Sequence, residues 1–529
     1  MRIIMKLYKT KKHVCIWKSL GLVLPLFFAS CADFLDKQPF DIVKENYFQN
    51  EQDVMAGLVG VYDILGREEF YGSTYATFLT VGDEGAYFRS NYLVGPEIYN
   101  YDASNPKVGD IWRFMYEGIE RANFFLSKVD QVEMDEVEKQ AAIGEVKFLR
   151  AYYYFILADN WGAVPLIKEP ASSANNVNIG RTALPEIYGF IVSEMEESEA
   201  MVKDIQAFGH AGRVTKSAVR GILARVYLKM AGEPIKDETK FEKALEWADK
   251  LVNPQSGDYV HGLLGDYTKI FKDMAADRYN IDESIWEAEF YGNRAGDFEA
   301  GRIGNQSGIQ TTDEAKGFSY GLLAATRKLY EAYESSDIRR DWNIANYYYN
   351  HANNVVTDSV FYTNSEIERR HVAKFRRNYE TLNPKNRNYT PVNFPILRYA
   401  DVLLMFAEAE NEVHGPTERA KMALNEVRQR ANASDISALL TNKDEFRTAV
   451  QEERFRELCF EGLRKFDLVR YGTFVSELKS VARQYTQQAP EAYRYMALAF
   501  SNVSTRDIYF PIPIAELSLN NLMTQNEGW

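Results

Sequence analysis

Cysteine is scarce in this chain: Cys15, Cys31 and Cys459 are all there is. At most one disulfide can form once the N-terminal segment described below is removed, so no disulfide framework supports the fold. Catalytic signatures are missing as well. There is no GxxxxGKS/T phosphate loop, GxSxG elbow, HExxH zinc helix or EF-hand loop. His13, His210, His261, His351, His371 and His414 are scattered without metal-ligand spacing. The sequence therefore assigns no catalytic residue, no metal and no cofactor. Positive charge is in deficit, with 62 Lys and Arg against 75 Asp and Glu. The resulting net charge of −13 repels a phosphate backbone and argues against a nucleic-acid partner.

A membrane-spanning helix needs roughly twenty apolar residues. The apolar run from Ser19 to Ala29 is well short of that, and it follows Arg2, Lys6, Lys9, Lys11, Lys12 and Lys18. This is the layout of a secretory signal peptide. Phe28, Ala29, Ser30 and Cys31 then resemble a bacterial lipoprotein signal, which is cut before the cysteine and acylated on its thiol. Several acyl chains, each buried methylene contributing about 0.8 kcal/mol, hold a protein at a membrane surface. Residues 1–30 carry six basic and no acidic groups, so their removal leaves 499 residues with a net charge of −19. Cys459, flanked by Leu458 and Phe460 in a helical run, reads as a small buried hydrophobe.

The strongest periodicity is helical and comes in pairs. TKSAVRGILARVYLKMAG and KFEKALEWADKLVNP each present an apolar face, with Ala224, Ala244 and Ala248 where helices must approach closely. YADVLLMFAEAENEVHG with PTERAKMALNEVRQRA makes a second pair, and IWRFMYEGIERANFFLSKV with EKQAAIGEVKFLRAYYYFILADNWG a third. Such units resemble tetratricopeptide repeats, which must stack to bury their apolar faces. The predicted fold is mainly α: a scaffold of helix pairs with an irregular, loop-rich portion.

Carboxylates cluster at Glu408, Glu410 and Glu412, and at Glu452, Glu453, Glu457 and Glu461. A glycosidase needs two carboxyls set across a sugar cleft. Here both clusters lie on helical segments, and Arg454, Arg456 and Arg464 are interspersed with the second, so ion pairing explains them more simply.

The order and number of several blocks resemble the SusD/RagB family of outer-membrane nutrient-binding lipoproteins. CADFLDKQP, ERANFFL, GEVKFLRAYYYFILADNWGAVPL and GRVTKSAVRGILARVYLKMAG are followed by ESIWEAEF, FPILRYADVLLMFAEAENEV, EERFRELCFEGLRKFDLVRYG and YFPIPIAELSLNNLMTQNEGW. Tyr471 departs slightly from the pattern, since Trp usually precedes the glycine there. The resemblance implies a surface-exposed, lipid-anchored outer-membrane protein without catalytic activity. Such a protein binds oligosaccharide or polysaccharide and hands it to a SusC-like TonB-dependent transporter. Peptide capture, as in the RagB branch, is the alternative, and a glycoside hydrolase is a distant third. It also implies four tetratricopeptide-like pairs. Residues 1–30 are then the signal and 31–529 the body, with scaffold at roughly 31–65, 110–252 and 394–529 and variable ligand-binding regions at roughly 66–110 and 253–393.

Within the variable regions, a sugar ring calls for a flat aromatic with polar groups at its edge. GDEGAYFRSNYLVG offers Asp83, Tyr87, Phe88, Arg89, Asn91 and Tyr92. DWNIANYYYN offers Trp342, Asn346, Tyr347, Tyr348 and Tyr349, and FYGNRAGDF offers Tyr291, Asn293 and Arg294. Tyr87, Asn91, Tyr92 and Trp342 are the favoured ligand contacts. Trp112, Tyr152 and Trp161, inside scaffold blocks, are expected in the core.

Overall fold

A computed structural model describes residues 48–171, 178–253, 255, 260–292 and 299–529. The signal segment, Cys31, Asn293 and Arg294 lie outside the described residues. Helices predominate, and side chains start many of them. Asn50, Asn105, Asp135 and Thr215 accept hydrogen bonds from first-turn amides of α1 (Glu51–Tyr62), α2 (Pro106–Lys128), α3 (Glu136–Trp161) and α5 (Lys216–Ala231). Between α3 and α5 runs α4 (Leu184–Met201), and α6 (Lys240–Val252) follows. Three short helices, α7 (Tyr267–Ala275), α8 (Arg327–Ala332) and α9 (Arg340–Asn343), precede α10 (Tyr399–His414), α11 (Glu418–Arg430) and α12 (Lys443–Glu457).

Helices α1 to α6, then α10 and α11, pack each on the next in an unbroken series. That is four successive pairs. Helical periodicity in the sequence pairs α2 with α3 and does not mark α4; α2 and α3 do pack together, but α3 packs more extensively on α4. Small residues set the spacing. A Cβ on Gly118 of α2 would lie 2.6 Å from the Tyr153 ring on α3, and one on Gly144 of α3 would lie 2.7 Å from Met201 of α4. Trp112, Tyr152, Trp161 and Cys459 are all buried, as expected.

The long insertion between α6 and α10 holds most of the strands. β1 (Gly85–Tyr87) pairs with β3 (Leu323–Ala325), β2 (Ser284–Ala288) with β6 (Phe394–Arg398), and β4 (Tyr347–Ala352) with β5 (Val355–Phe361), all antiparallel. Asn353 and Asn354, at φ of 51° and 65°, turn the β4–β5 hairpin in the left-handed region that Asn tolerates.

A buried ionic network pins this insertion to the scaffold. Arg339 Nη1 lies 2.5 Å from Glu453 and 2.8 Å from Glu457; Arg398 lies 2.5 Å from Glu457 and 2.7 Å from Glu461; Lys374 lies 2.5 Å from Glu461. The second carboxylate cluster is thus largely spent on ion pairs inside the protein. In the first, Arg470 Nη2 donates to Glu408 at 2.8 Å and Arg447 Nε to Glu412 at 2.6 Å. No described helix is long and apolar enough to cross a membrane.

Candidate functional site

β1 ends at Tyr87, and successive side chains of a strand point to opposite sides. Tyr87 packs against Phe78 and against Tyr92, whose ring centroid is 4.6 Å away. Phe88 goes the other way. Its ring stacks on Tyr493 at 6.0 Å with 17° between planes, and its edge meets His371 at 5.1 Å.

Arg89 fixes this arrangement. Its guanidinium donates to the carbonyls of Phe88 (2.6 Å), Tyr320 (2.6 Å) and Gly321 (3.1 Å), so it braces the loop. His371 is buried, which lowers its pKa to about 4 and keeps the imidazole neutral beside Phe88 near neutral pH. Gly321 fits close against it: a Cβ there would lie 2.8 Å from the ring.

The β4–β5 hairpin brings a second aromatic group. Tyr362, just past β5, is buried, with the Arg370 guanidinium 5.2 Å from its ring centre. Its ring lies 5.2 Å from that of Tyr348 on β4, and the Arg369 guanidinium covers both at 5.0 and 5.6 Å. Tyr495 stands two residues beyond Tyr493. Burial raises the phenols of Tyr362 and Tyr495 to about 12, so both hydroxyls stay protonated donors. Phe88, Tyr348, Arg369, Tyr493 and Tyr495 are half-buried. The resulting arc offers the stacked pair Phe88 and Tyr493 as its partly exposed rings, while Arg369 lies over Tyr348 and Tyr362 stays buried.

Of the favoured residues, three share one loop and one stands apart. Tyr87 and Tyr92 are half-buried and Asn91 is exposed. The Tyr92 hydroxyl donates to Glu97 at 2.8 Å, which fixes the ring against Tyr87. Trp342 is only 7% exposed and belongs to the main core, where Arg376 and Lys272 lie 4.3 and 5.4 Å from its ring centre. A ring so covered has no free face for a ligand. Asp83 is likewise withdrawn: it is fully buried, with Arg464 at 2.6 Å and Lys328 alongside.

Sequence reasoning offered Phe88, Arg89 and Tyr348 but missed Tyr362, Arg369, Tyr493 and Tyr495. The last two stand on a short 3-10 helix, Glu491–Met496, in a stretch expected to be scaffold. The alternation in EAYRYM was the available signal.

A second concavity lies elsewhere. Met55, Leu58 and Val59 of α1, with His210, Arg213, Glu287 and Glu289, line a cavity of about 370 Å³. Glu287 accepts hydrogen bonds from Ser284 and from Asn393, the latter at 2.9 Å, and Glu289 lies 3.3 Å from His210. Burial raises both carboxyls to about 7. A glycosidase needs one raised carboxyl and one that stays ionised. Here both shift the same way. Among the described residues no cluster of three or more His, Cys, Asp and Glu could hold a metal ion.

Comparison with known proteins gives a consistent picture. Residues 282–529 match a family model described as the SusD family, and residues 33–228 match one described as starch-binding associating with outer membrane. The chain is 27% identical to SusD-like protein P25 of Formosa agariphila, over 94% of this chain and 96% of that one. The crystal structure of a SusD homolog from Bacteroides thetaiotaomicron superposes with a TM-score of 0.84 at 28% identity, covering 92% of this chain and 99% of that one. A laminarin binding SusD-like protein shares the fold, with a TM-score of 0.71 at 24% identity over 91% of this chain and all of that one.

Proposed function

The chain belongs to the SusD family, and on that premise we propose that it captures glycan at the cell surface. In this reading a lipid on Cys31 tethers it to the outer membrane, and it passes carbohydrate to a SusC-like TonB-dependent transporter. The observation that carries the glycan reading is the partly exposed stacked pair of Phe88 and Tyr493, with Tyr348 and Arg369 on the hairpin. A pyranose has an apolar face of C–H groups and a rim of hydroxyls. Partly exposed rings suit the face, and phenols and a guanidinium suit the rim. In this reading the site recognises without reacting: the carboxylates of the two sequence clusters serve mainly as ion-pair partners, and Glu287 and Glu289 lie in a separate cavity.

Affinity electrophoresis against immobilised polysaccharides, among them laminarin and starch, tests this. One polymer should retard the wild type. Phe88→Ala with Tyr493→Ala should weaken that binding at least about tenfold, as truncation of anchoring aromatics does. Trp342→Ala should leave it unchanged. Equal retardation of the Phe88/Tyr493 variant would overturn the site, and capture of peptides in place of any polysaccharide would overturn the ligand class.

A further inference from the structure

The β4–β5 hairpin carries aromatic rings on both faces. Directly opposed residues of paired strands share a face, and the register sets Tyr347 against Phe361 and Tyr349 against Ser359. Tyr348 and Tyr362 occupy the other face, the one that joins the arc. On the reverse face the Tyr347 ring lies 6.3 Å from Phe361 and 5.3 Å from Tyr349, both edge-on, and the two phenols are 3.2 Å apart.

Phe361 is 70% exposed although it stands in a paired strand. A solvent-facing strand position is normally polar, because an apolar ring there gains nothing from folding. Tyr347 and Tyr349 are half-buried, and His351, 6.4 Å from the Tyr349 ring, and Arg376 flank them. Thr311 bonds His351 at 2.9 Å, and Arg376 lies 6.0 Å from the Tyr347 centre. The hairpin is also braced: the Val356 amide donates to Asp313 at 2.9 Å. A fixed ring pair with a polar border repeats on this face the chemistry of the arc.

We infer that Tyr347, Tyr349 and Phe361 form a second sugar-stacking subsite on the reverse face of the hairpin, occupied by the continuation of the glycan held in the arc. This rests on the glycan reading above. The two faces belong to the same two strands, so one chain that bends over the hairpin edge reaches both. A short oligosaccharide fills the arc alone. The ligand class is therefore a polysaccharide, bound over a length greater than one face.

The test compares polymer with fragment, using full-length protein: laminarin with laminaritetraose, and amylose with maltotetraose. Phe361→Ala with Tyr347→Ala should weaken binding of the retained polymer about tenfold and leave the affinity of its tetrasaccharide unchanged. Phe88→Ala with Tyr493→Ala should weaken both. Circular dichroism and melting of the hairpin variant verify its folding, and Phe361→Ala alone, at an exposed position, gives a variant with little packing to lose. If the hairpin variants bind polymer like the wild type while the Phe88/Tyr493 variant does not, the inference falls and the site reading stands. If neither polymer is bound, or the Phe88/Tyr493 variant binds normally, both fall.

Discussion

Asp83→Asn is the perturbation that bears most directly on how the site is held. The carboxylate is fully buried, 2.6 and 3.0 Å from the Arg464 guanidinium, and Lys328 bonds it from the other side. Burial pushes its pKa up, but Arg464 and Lys328 together outweigh burial and hold it at about 2, below the ordinary 3.8. At about 1.4 kcal/mol for each tenfold in proton affinity, the ionised form stabilises the fold by about 2 kcal/mol. The amide loses that and also leaves a buried guanidinium short of a partner, so the expected cost is about 3 kcal/mol at neutral pH. Because the folded pKa is depressed, the contribution is complete above about pH 5 and disappears as pH falls towards 2. Urea denaturation of both proteins from pH 7 to pH 2 reads this out. The stability gap should narrow by about 2 kcal/mol over the acid range. A gap below about 1 kcal/mol at neutrality, or one that stays constant with pH, would refute the assignment.

Gly321, at φ +58°, has no room for a side chain: a Cβ would lie 2.7 Å from Gln310 and 2.8 Å from His371. Gly321→Ala should cost about 1–3 kcal/mol in denaturation and, by displacing a carbonyl that Arg89 uses, weaken retardation by the retained polysaccharide. Cys31→Ser should abolish incorporation of radiolabelled palmitate and release the protein from the membrane fraction, since the thiol is the proposed acylation point.

The helical series was legible where apolar residues kept a 3.6-residue period, as in α2, α3, α5, α6, α10 and α11. α4 escaped because buried polar residues interrupt its stripe: Glu194, paired with Arg150 at 2.5 Å, and Ser198 stand where hydrophobes would complete it. The hairpin escaped for a related reason. YYYNHANNVV lacks the polar and apolar alternation of a half-buried strand, because tyrosines serve both of its faces. The proposed site lies partly in stretches that the sequence marks. Aromatic density singles out the loop that carries Phe88, but composition cannot say which of two neighbouring rings faces outward, and in a strand a shift of one residue decides it. Tyr493 contributes across some four hundred residues of chain separation, a closeness set by the fold and not by any local pattern. Trp342 misled because a tryptophan amid polar residues reads as exposed, whereas here cationic side chains cover its ring.

Helix α6 packs directly on α10 although the whole insertion separates them in sequence. The stack is thus continuous whatever the insertion contains, and a doubled loop length costs only about 0.6 kcal/mol in closure entropy. Such a scaffold is evolvable. The insertion can lengthen, shorten or exchange its hairpin while Arg339, Lys374 and Arg398 keep their carboxylate sockets, so the loops can vary on an inherited frame.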